Sequence, residues 1–270
     1  MLKLTLRAPS SIPLELDGIT PLRVAGLSAL EVAKLPVQHG NRSEPLGEFF
    51  DVTTDARAPL ADLHFAGDTR NVKFIGARLT AGSIYVENDV GMHAGAQMSG
   101  GSLVIDSGAA GWLGAEMKGG YIEVRGHAGD QVGAAYRGSR RGMTGGTIFV
   151  RGSAGDELGL LMRRGLIVVD GPCGEFAGAS MIAGTIALLD EVGPRCGAGM
   201  KRGTILCARE PSLPASFRFA CDYRPTFLPL YVAKFRALGA TVPPAFDGPV
   251  KCYRGDLLTG GRGEVLIGGP

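Results

Sequence analysis

The sequence predicts a mainly β protein, a single-stranded right-handed parallel β-helix of about seven to eight 19-residue coils with small α+β caps at both ends. Three observations predict this fold: glycine is in excess, glycines recur at a fixed spacing, and apolar residues alternate after them. Glycine supplies 43 of the 270 residues, roughly twice its usual share of about 7%. Disorder and collagen also enrich glycine, but this chain is rich in Ile, Leu and Val and has no Gly-X-Y period.

A glycine marks each repeat unit, and successive marks lie 19 residues apart with one gap of 26. Apolar residues follow two and four positions after each mark, as in Ile84 and Val86, which is the period of a strand with one buried face. A second glycine follows after thirteen positions, as in Gly95, and a methionine usually comes three residues later, as in Met98. Such a unit is too short for a propeller blade or a helix pair and fits one coil of a β-helix. The marks are Gly82, Gly101, Gly120, Gly146, Gly165, Gly184 and Gly203.

The 26-residue unit contains an insertion of seven residues, 136–142, with the sequence YRGSRRG. Without these residues Met143 takes the methionine position, and the repeat runs unbroken from Met98 to Met200. The apolar columns and the methionines are predicted to fill the interior. The inserted residues are predicted to leave the stack as a loop, since insertions in repeat proteins often lie on a binding face.

The repeat divides the chain into residues 1–60, an N-terminal α+β cap, 61–207, the parallel β-helix, and 208–270, a C-terminal cap. In the first cap the segment LKLTLR alternates like a strand, the segment LELD near residue 14 is expected to pair with it, and Ser28 and Glu31 form a capping box that begins a short helix. In the last cap residues 227–238 predict one amphipathic helix that Gly239 ends. This helix is expected to cover the last coil, and its aromatic stripe could also bind a partner.

Composition excludes several classes of protein. The net charge of +2 is too small to indicate a nucleic-acid partner. No run of 18 apolar residues suggests a membrane span, and the N-terminus lacks a signal peptide, so a cytoplasmic location is expected. The five cysteines contain no CxxC pair and are interpreted as reduced, mostly buried small apolar residues.

No catalytic residue and no metal ligand is predicted in this chain. The four histidines have no neighbour at metal-ligand spacing, and neither a GxSxG elbow nor a phosphate-binding GxxxxGK[ST] loop occurs. Polysaccharide lyases share the β-helix, but the aspartates here do not fall at one repeat position as a calcium site would need. The chain is therefore predicted to be a scaffold or binding subunit.

Basic residues align at one repeat position. Lys118, Arg163 and Lys201 each follow a column methionine, and Arg164 and Arg202 come next. The insertion adds Arg137, Arg140 and Arg141. One interpretation is a solvated face or a set of ion pairs with partner subunits. The other is a binding stripe for a carboxylate-rich carrier tail or an acidic partner surface, because guanidinium groups suit carboxylates.

The unit at 146–165, GTIFVRGSAGDELGLLMRRG, resembles the β-helix shared by the C-terminal domain of glutamate synthase large subunits and the C subunit of formylmethanofuran dehydrogenase. This resemblance covers residues 61–207. The segments GN at 40–41 and LGEFFDV at 46–52, with GMTGG at 142–146, are similar to the family of formylmethanofuran dehydrogenase C subunits in particular.

The resemblance to these C subunits implies a role in one-carbon metabolism. In methylotrophic bacteria the related formyltransferase/hydrolase complex moves a formyl group from tetrahydromethanopterin to a methanofuran-type carrier and releases formate. The Ala, Arg, Leu and Gly bias of the chain favours this bacterial branch. The alternatives are the C subunit of an archaeal molybdenum or tungsten formylmethanofuran dehydrogenase and a glutamate-synthase-like support domain for amide transfer.

The same resemblance implies the partners and cofactors. The expected partners are amidohydrolase-like, formyltransferase and molybdopterin-enzyme-like subunits, which would hold the metals and catalytic groups. No cofactor is expected on this chain alone. A methanofuran-type carrier is expected in the complex, and its tail can be rich in glutamate, which gives the basic stripe a ligand.

Overall fold

A computed structural model describes residues 2–54 and 62–269. The protein they form is mainly β, with a large parallel sheet, as the repeat predicts. The helices are α1 (Pro21–Val24), α2 (Ala29–Ala33) and α3 (Leu228–Ala237). The strands are β1 (Leu2–Leu6), β2 (Leu14–Glu15), β3 (Pro36–His39), β4 (Arg42–Pro45), β5 (Phe50–Thr54), β6 (Leu63–Ala66), β7 (Val72–Lys73), β8 (Ser83–Val86), β9 (Ser99–Ile105), β10 (Gly119–Val124), β11 (Thr147–Val150), β12 (Leu166–Val169), β13 (Thr185–Leu188), β14 (Thr204–Cys207), β15 (Arg218–Tyr223), β16 (Val250–Gly255) and β17 (Gly263–Gly268).

The large sheet has thirteen strands in the order β15-β16-β17-β14-β13-β12-β11-β10-β9-β8-β6-β1-β5. In the stretch of this order from β17 to β1, all neighbouring strands are parallel. Antiparallel pairs lie only at the two edges of the sheet. The register follows the repeat, so that Ile84 pairs with Leu103 and Ile122 with Ile148. Each repeat unit therefore adds one strand to the sheet.

The apolar columns and the methionines lie inside, as predicted. Ile122 and Val124 are fully buried, and so is each methionine of the column. The N–H of Met98 donates to the carbonyl of Gly95, and the N–H of Met143 donates to the carbonyl of Gly133 in the same way. The second bond skips residues 136–142, which confirms that these seven residues are an insertion. The buried methionines are Met98, Met117, Met143, Met162, Met181 and Met200.

The turn before each methionine contains left-handed backbone at alternating positions. In one coil these are His93, Gly95 and Gln97, with φ of 67°, 63° and 56°. The sequence pattern indicates only the glycine, because other residue types do not reveal a positive φ. The same conformation recurs at the corresponding non-glycine positions of the other coils, except at Ala135 beside the insertion.

The N-terminal segment differs from one prediction. Strand β1 pairs with β5 and β6, whereas β2 pairs with β3 and β7 in a separate four-stranded sheet, so the expected pairing of the LELD segment with β1 is wrong. The short strand β2 pairs with strands that contain Val72 and His39. These residues are distant from β2 in the sequence, so the local pattern of residues does not predict the pairing. Helix α2 is confirmed, with its capping box formed by Ser28 and Glu31.

The C-terminal helix is confirmed, but it lies over the outer face of several coils, the last one included, rather than over the open end of the last coil. Phe235 of α3 belongs to a buried cluster with Phe149, Val168 and Leu206, which lie on the outer face of the sheet. The open edge of β14 is covered instead by β17, which pairs with it in parallel. The helix lies on this outer face because the outward-facing residues of the sheet are apolar from β11 onward and must be covered. In the earlier strands β8 and β10 the outward-facing residues are Tyr85 and Glu123, which have polar groups and can face solvent.

The predicted boundary between residues 60 and 61 lies outside the described residues. The boundary after 207 coincides with the end of β14, and the division of the chain into 1–60, 61–207 and 208–270 stays a prediction. Within the described part of the chain, no helix has the length and apolar character needed to cross a membrane.

Candidate binding cleft

The basic residues that follow the methionines lie on one backbone ladder. The N–H groups of Lys118, Arg163 and Lys201 donate to the methionine carbonyls of the preceding coils, at N–O distances of 2.7, 2.8 and 2.7 Å. Thr144 and Ile182 hold the intervening places on the ladder. Two strand spacings separate successive basic residues, which is about 10 Å. The predicted alignment of these residues along one corner is thus present in the backbone.

Four of the eight predicted residues line one cleft with a volume of about 730 Å3. Ile182, Ala183 and Gly184 contribute to its lining between the two basic pairs. Arg262, Thr259 and Gly260, from the loop before β17, also line it. The four predicted basic residues are Arg163, Arg164, Lys201 and Arg202.

Arg262 reaches the cleft because the preceding turn is bonded to the coil that contains Lys201. The N–H of Asp256 and the hydroxyl of Thr259 both donate to the carbonyl of Met200, at 3.2 and 2.6 Å. The carboxylate of Asp256 accepts hydrogen bonds from the N–H groups of Gly199 and Leu258. Burial acts to raise the pKa of Asp256, but these N–H groups together with the Ser216 side chain outweigh it and hold the pKa below its ordinary value. The turn is therefore fastened by an ionised carboxylate.

The cleft is cationic and its charges are not neutralised within the described residues. Arg163, Arg164, Lys201, Arg202 and Arg262 form no ion pair with a carboxylate of residues 2–54 or 62–269. Arginines elsewhere behave differently, since Arg125, Arg195 and Arg209 each pair with acidic neighbours. Five unneutralised cations around one concave surface suit a ligand with several carboxylates.

The other predicted basic residues lie outside this cleft. Lys118 is exposed on the same ladder, beyond Thr144. Arg137, Arg140 and Arg141 are exposed in the inserted segment and do not line the cleft. Arg262 was missed because it belongs to no repeat position, and only the pairing of β17 with β14 brings it to the corner.

Within the described part of the chain, no metal site is formed and three of the four histidines have separate partners. This part contains no group of three or more His, Cys, Asp or Glu side chains that could hold a metal ion. His39 contacts Ser10, His93 contacts Tyr136 and His127 contacts Ser153, each on a different part of the surface. The prediction that catalysis and metal binding belong to other subunits stays a prediction.

The fold is that of a glycine-repeat β protein. Residues 138–215 match the family model described as the GXGXG motif. A chain of the formyltransferase/hydrolase complex (FhcABCD) from Methylorubrum extorquens, crystallised in complex with methylofuran, has a TM-score of 0.90 and 35% sequence identity to this chain. That match covers 99% of this chain and 100% of the other. The chain belongs to the family of formylmethanofuran dehydrogenase C subunits.

Two archaeal relatives carry the name of this family. The C subunit of the molybdenum-containing formylmethanofuran dehydrogenase 1 of Methanosarcina barkeri is 43% identical over 84 residues, which are 30% of this chain and 28% of the relative. The C subunit of the tungsten-containing formylmethanofuran dehydrogenase 2 of Methanothermobacter thermautotrophicus is 40% identical over 92 residues, 33% of this chain and 34% of the relative. The matched segment thus spans about a third or less of the length of these relatives.

Proposed function

We propose that this chain is the non-catalytic scaffold subunit of a bacterial formyltransferase/hydrolase complex. The complex would move a formyl group from tetrahydromethanopterin to a methanofuran-type carrier and release formate. The observation that supports this assignment is the whole-chain similarity to the Methylorubrum extorquens complex, in contrast to the partial matches with archaeal proteins. The metals and catalytic groups would belong to amidohydrolase-like, formyltransferase and molybdopterin-enzyme-like partner subunits.

The cationic cleft would bind the carboxylate-rich tail of the carrier. Its five cations have no acidic partner among the described residues, and its basic pairs repeat every second coil. A chain of carboxylates laid along the corner would meet Arg163 and Lys201 in turn, and Arg262 from the opposite side. Guanidinium groups favour this role because they bind carboxylates through two parallel hydrogen bonds. Lys118, Arg137, Arg140 and Arg141 would extend the positive surface toward the rest of the complex.

The coils would wind as a right-handed parallel β-helix. The parallel sheet supports this inference, and so does a second row of parallel bridges on another side of the repeat, which joins Val90 to Ala109, Ala109 to Ala128 and onward to Val192. Two ladders joined by hydrogen-bonded turns form a rigid rod, since every coil is bonded to the coils before and after it. A rod of this kind suits a scaffold on which other subunits assemble.

A titration with polyglutamate of about ten residues tests the cleft, with calorimetry as the readout. The double variant Arg163→Ala, Lys201→Ala is expected to weaken binding by about tenfold or more, because it removes two charged hydrogen-bond donors. Binding to the unmodified chain is expected to weaken as salt is added. The matched control is Arg195→Ala, since Arg195 is an exposed arginine already paired with Glu175.

A second experiment tests the assignment to a complex. Affinity purification of the chain from its source cells, followed by mass spectrometry, is expected to recover an amidohydrolase-like and a formyltransferase partner. Recovery of the chain alone would contradict the scaffold role. Equal polyglutamate binding by the double variant and the unmodified chain would contradict only the assignment of the cleft.

A second candidate is the C subunit of an archaeal-type dehydrogenase, which the identity of 43% to the Methanosarcina barkeri protein favours. The copurifying subunits separate the two candidates. A partner that contains a molybdopterin and iron–sulfur clusters would support the dehydrogenase, and a partner that binds tetrahydromethanopterin would support the formyltransferase/hydrolase.

A further inference from the structure

Aromatic rings form a column on the surface of the first coils, away from the cationic cleft. Phe74, His93 and Trp112 occupy the same repeat position in successive coils, and Tyr136 begins the inserted segment. The rings of Phe74 and His93 are stacked with centroids 4.7 Å apart, and those of Trp112 and Tyr136 are stacked at 5.0 Å. The rings of His93 and Tyr136 are 5.5 Å apart. Only Tyr136 is supplied by the insertion, so the insertion completes this group of rings.

Phe74, His93 and Tyr136 border a small pocket of about 220 Å3, whereas Trp112 stacks on Tyr136 and is not part of the lining. Buried Ala77 and Ala96 lie between the rings and line its inner side. At its rim a guanidinium nitrogen of Arg78 lies 3.1 Å from a carboxylate oxygen of Asp17. The pocket is smaller than the roughly 300 Å3 at the lower end for drug-sized ligands. Its size and flat walls suit a single aromatic ring.

The polar groups of the pocket are bonded to one another. Nδ1 of His93 lies 3.0 Å from the hydroxyl oxygen of Tyr136, and the amide of Gln97 donates to the carboxylate of Glu116 at 3.0 Å. Burial, together with the charge of Glu116, raises the pKa of Tyr136 to about 12, and burial lowers the pKa of His93. Both rings are therefore neutral near pH 7, and the only charges that line the pocket among the described residues are those of the Arg78–Asp17 pair.

The inserted segment adds positive charge next to Tyr136 in the chain. Arg137, Arg140 and Arg141 follow Tyr136 directly in the chain, and all three are exposed and without an ion pair to any described residue. At the rim Arg78 is already paired with Asp17, so the unpaired positive charge is that of the three inserted arginines. An occupant that satisfies both parts of this surface needs an aromatic ring and neighbouring carboxylates.

We propose that the aromatic pocket receives an aromatic side chain from an acidic segment of a partner subunit. The ring would lie over the alanines against Phe74, His93 and Tyr136, and carboxylates on either side of it would pair with the arginines of the insertion. Buried aromatic anchors surrounded by polar contacts carry much of the energy of protein interfaces. The inference rests on the proposed function only in requiring a partner subunit, and it is independent of carrier binding at the cationic cleft.

The test uses Trp112, which is the single tryptophan of the chain and stacks on Tyr136. The full-length protein is titrated with a blocked peptide, Glu-Asp-Phe-Asp-Glu, while the fluorescence of Trp112 is recorded. A saturable change is expected for this peptide. Peptides with Leu in place of Phe, or with Gln and Asn in place of the acids, are expected to bind at least about tenfold more weakly.

Tyr136→Ala is expected to weaken binding of the acidic Phe peptide by about tenfold, and Phe176→Ala is its matched control. Phe176 occupies the same repeat position as Trp112 in a later coil, where it stacks with Arg195 outside the pocket. Circular dichroism checks that both variants fold, and polyglutamate binding checks that the cationic cleft is intact. The absence of any saturable response of Trp112 up to about 1 mM peptide would overturn the proposal. So would equal binding of the Leu peptide, or binding of free p-cresol as tight as that of the peptide, which would indicate a small-molecule site.

Discussion

The terminal methyl of Met143 packs against the backbone of Gly165 in the next coil, so closely that a Cβ built on Gly165 would lie 2.7 Å from the Cε of Met143. The same relationship joins each methionine of the column to the glycine that marks a later coil, with distances of 2.6 to 3.0 Å. At the end of the column Met200 packs in this way against Gly263 of β17. Methionine and marker glycine therefore form one structural unit that repeats along the stack, and β17 continues it.

Gly165→Ala is expected to lower the free energy of unfolding by about 2–4 kcal/mol. The new methyl group overlaps Met143, and the backbone at Gly165 has a φ of +110°, which disfavours any residue with a Cβ. Urea denaturation monitored by circular dichroism measures the change.

Gly248→Ala is the matched control for this substitution. Nothing lies within 4 Å of a Cβ built on Gly248, and its φ is not in the left-handed region. A change below about 0.5 kcal/mol is expected there. Equal effects of the two substitutions would contradict the role of close packing between methionine and glycine.

The repeat could be predicted from the sequence because glycine, methionine and the aliphatic columns are visible as residue types. The left-handed positions of His93 and Gln97 could not, since these residues adopt that conformation only where the stack imposes it. The position of α3 was also hidden. The helix packs on Phe149 and Val168, which alternate with the residues of the core column and therefore point to the opposite face. In the sequence they look like ordinary strand residues.

For a similar reason, only part of the candidate site could be predicted from the sequence. Arg163 and Lys201 fall at one repeat position, so their alignment follows from periodicity. Arg262 lies in a segment without a repeat, and its place depends on a strand pairing between β14 and β17 across about sixty residues of chain. Periodicity also predicted a single stripe with the inserted arginines, whereas Arg137, Arg140 and Arg141 do not line the cationic cleft.

Helix α3 is expected to contribute strongly to stability through its buried face. Phe235 is fully buried against the outer face of the sheet, whereas Leu230 on the same helix is 74% exposed. Phe235→Ala is expected to cost about 3–4 kcal/mol in the free energy of unfolding. Leu230→Ala, as the matched substitution, is expected to cost less than about 0.5 kcal/mol. A similar cost at both positions would contradict the packing of this helix.

Asp170 is expected to make stability depend on pH. Burial raises the pKa of Asp170, against the opposing effects of the Thr241 N–H and Arg151, and its Oδ1 is buried without a hydrogen-bond partner among the described residues. An acid with a raised pKa in the folded state stabilises the fold only while protonated. Its contribution is therefore lost as the pH rises from the unfolded pKa, about 3.9, through the higher folded pKa.

Asp170→Asn is accordingly expected to raise the free energy of unfolding at neutral pH by about 1 kcal/mol or less. The gain should vanish below about pH 3, where Asp170 is protonated in both states. Thermal melting at several pH values measures this. Asp222→Asn serves as the control, since Asp222 is exposed on β15 and should give no such pH-dependent gain. A gain that persists at low pH would point to packing rather than to ionisation.

The inserted segment is expected to be dispensable for folding. Comparing two deletions of seven residues tests which residue stands before Met143 once the insertion is removed. The residue that precedes each methionine has a positive φ in the regular coils, as in Gln97, Glu116 and Leu161. Deleting residues 136–142 would leave Ala135 at this position, whereas deleting 135–141 would leave Gly142. Because left-handed backbone disfavours alanine, the second deletion is expected to be more stable by about 1 kcal/mol.

Both deletions should retain the circular dichroism of the sheet and lose the response of Trp112 to the acidic Phe peptide. Deletion of residues 155–161 from a regular coil removes the same number of residues and is the control. It is expected to prevent cooperative folding, because it removes Gly159, whose carbonyl accepts the hydrogen bond of Met162, together with the turn that positions that methionine. If removal of 135–141 were as damaging as this control, the insertion would be part of the stacked coil, and the alignment of Met143 with the methionine column would not describe how the chain folds.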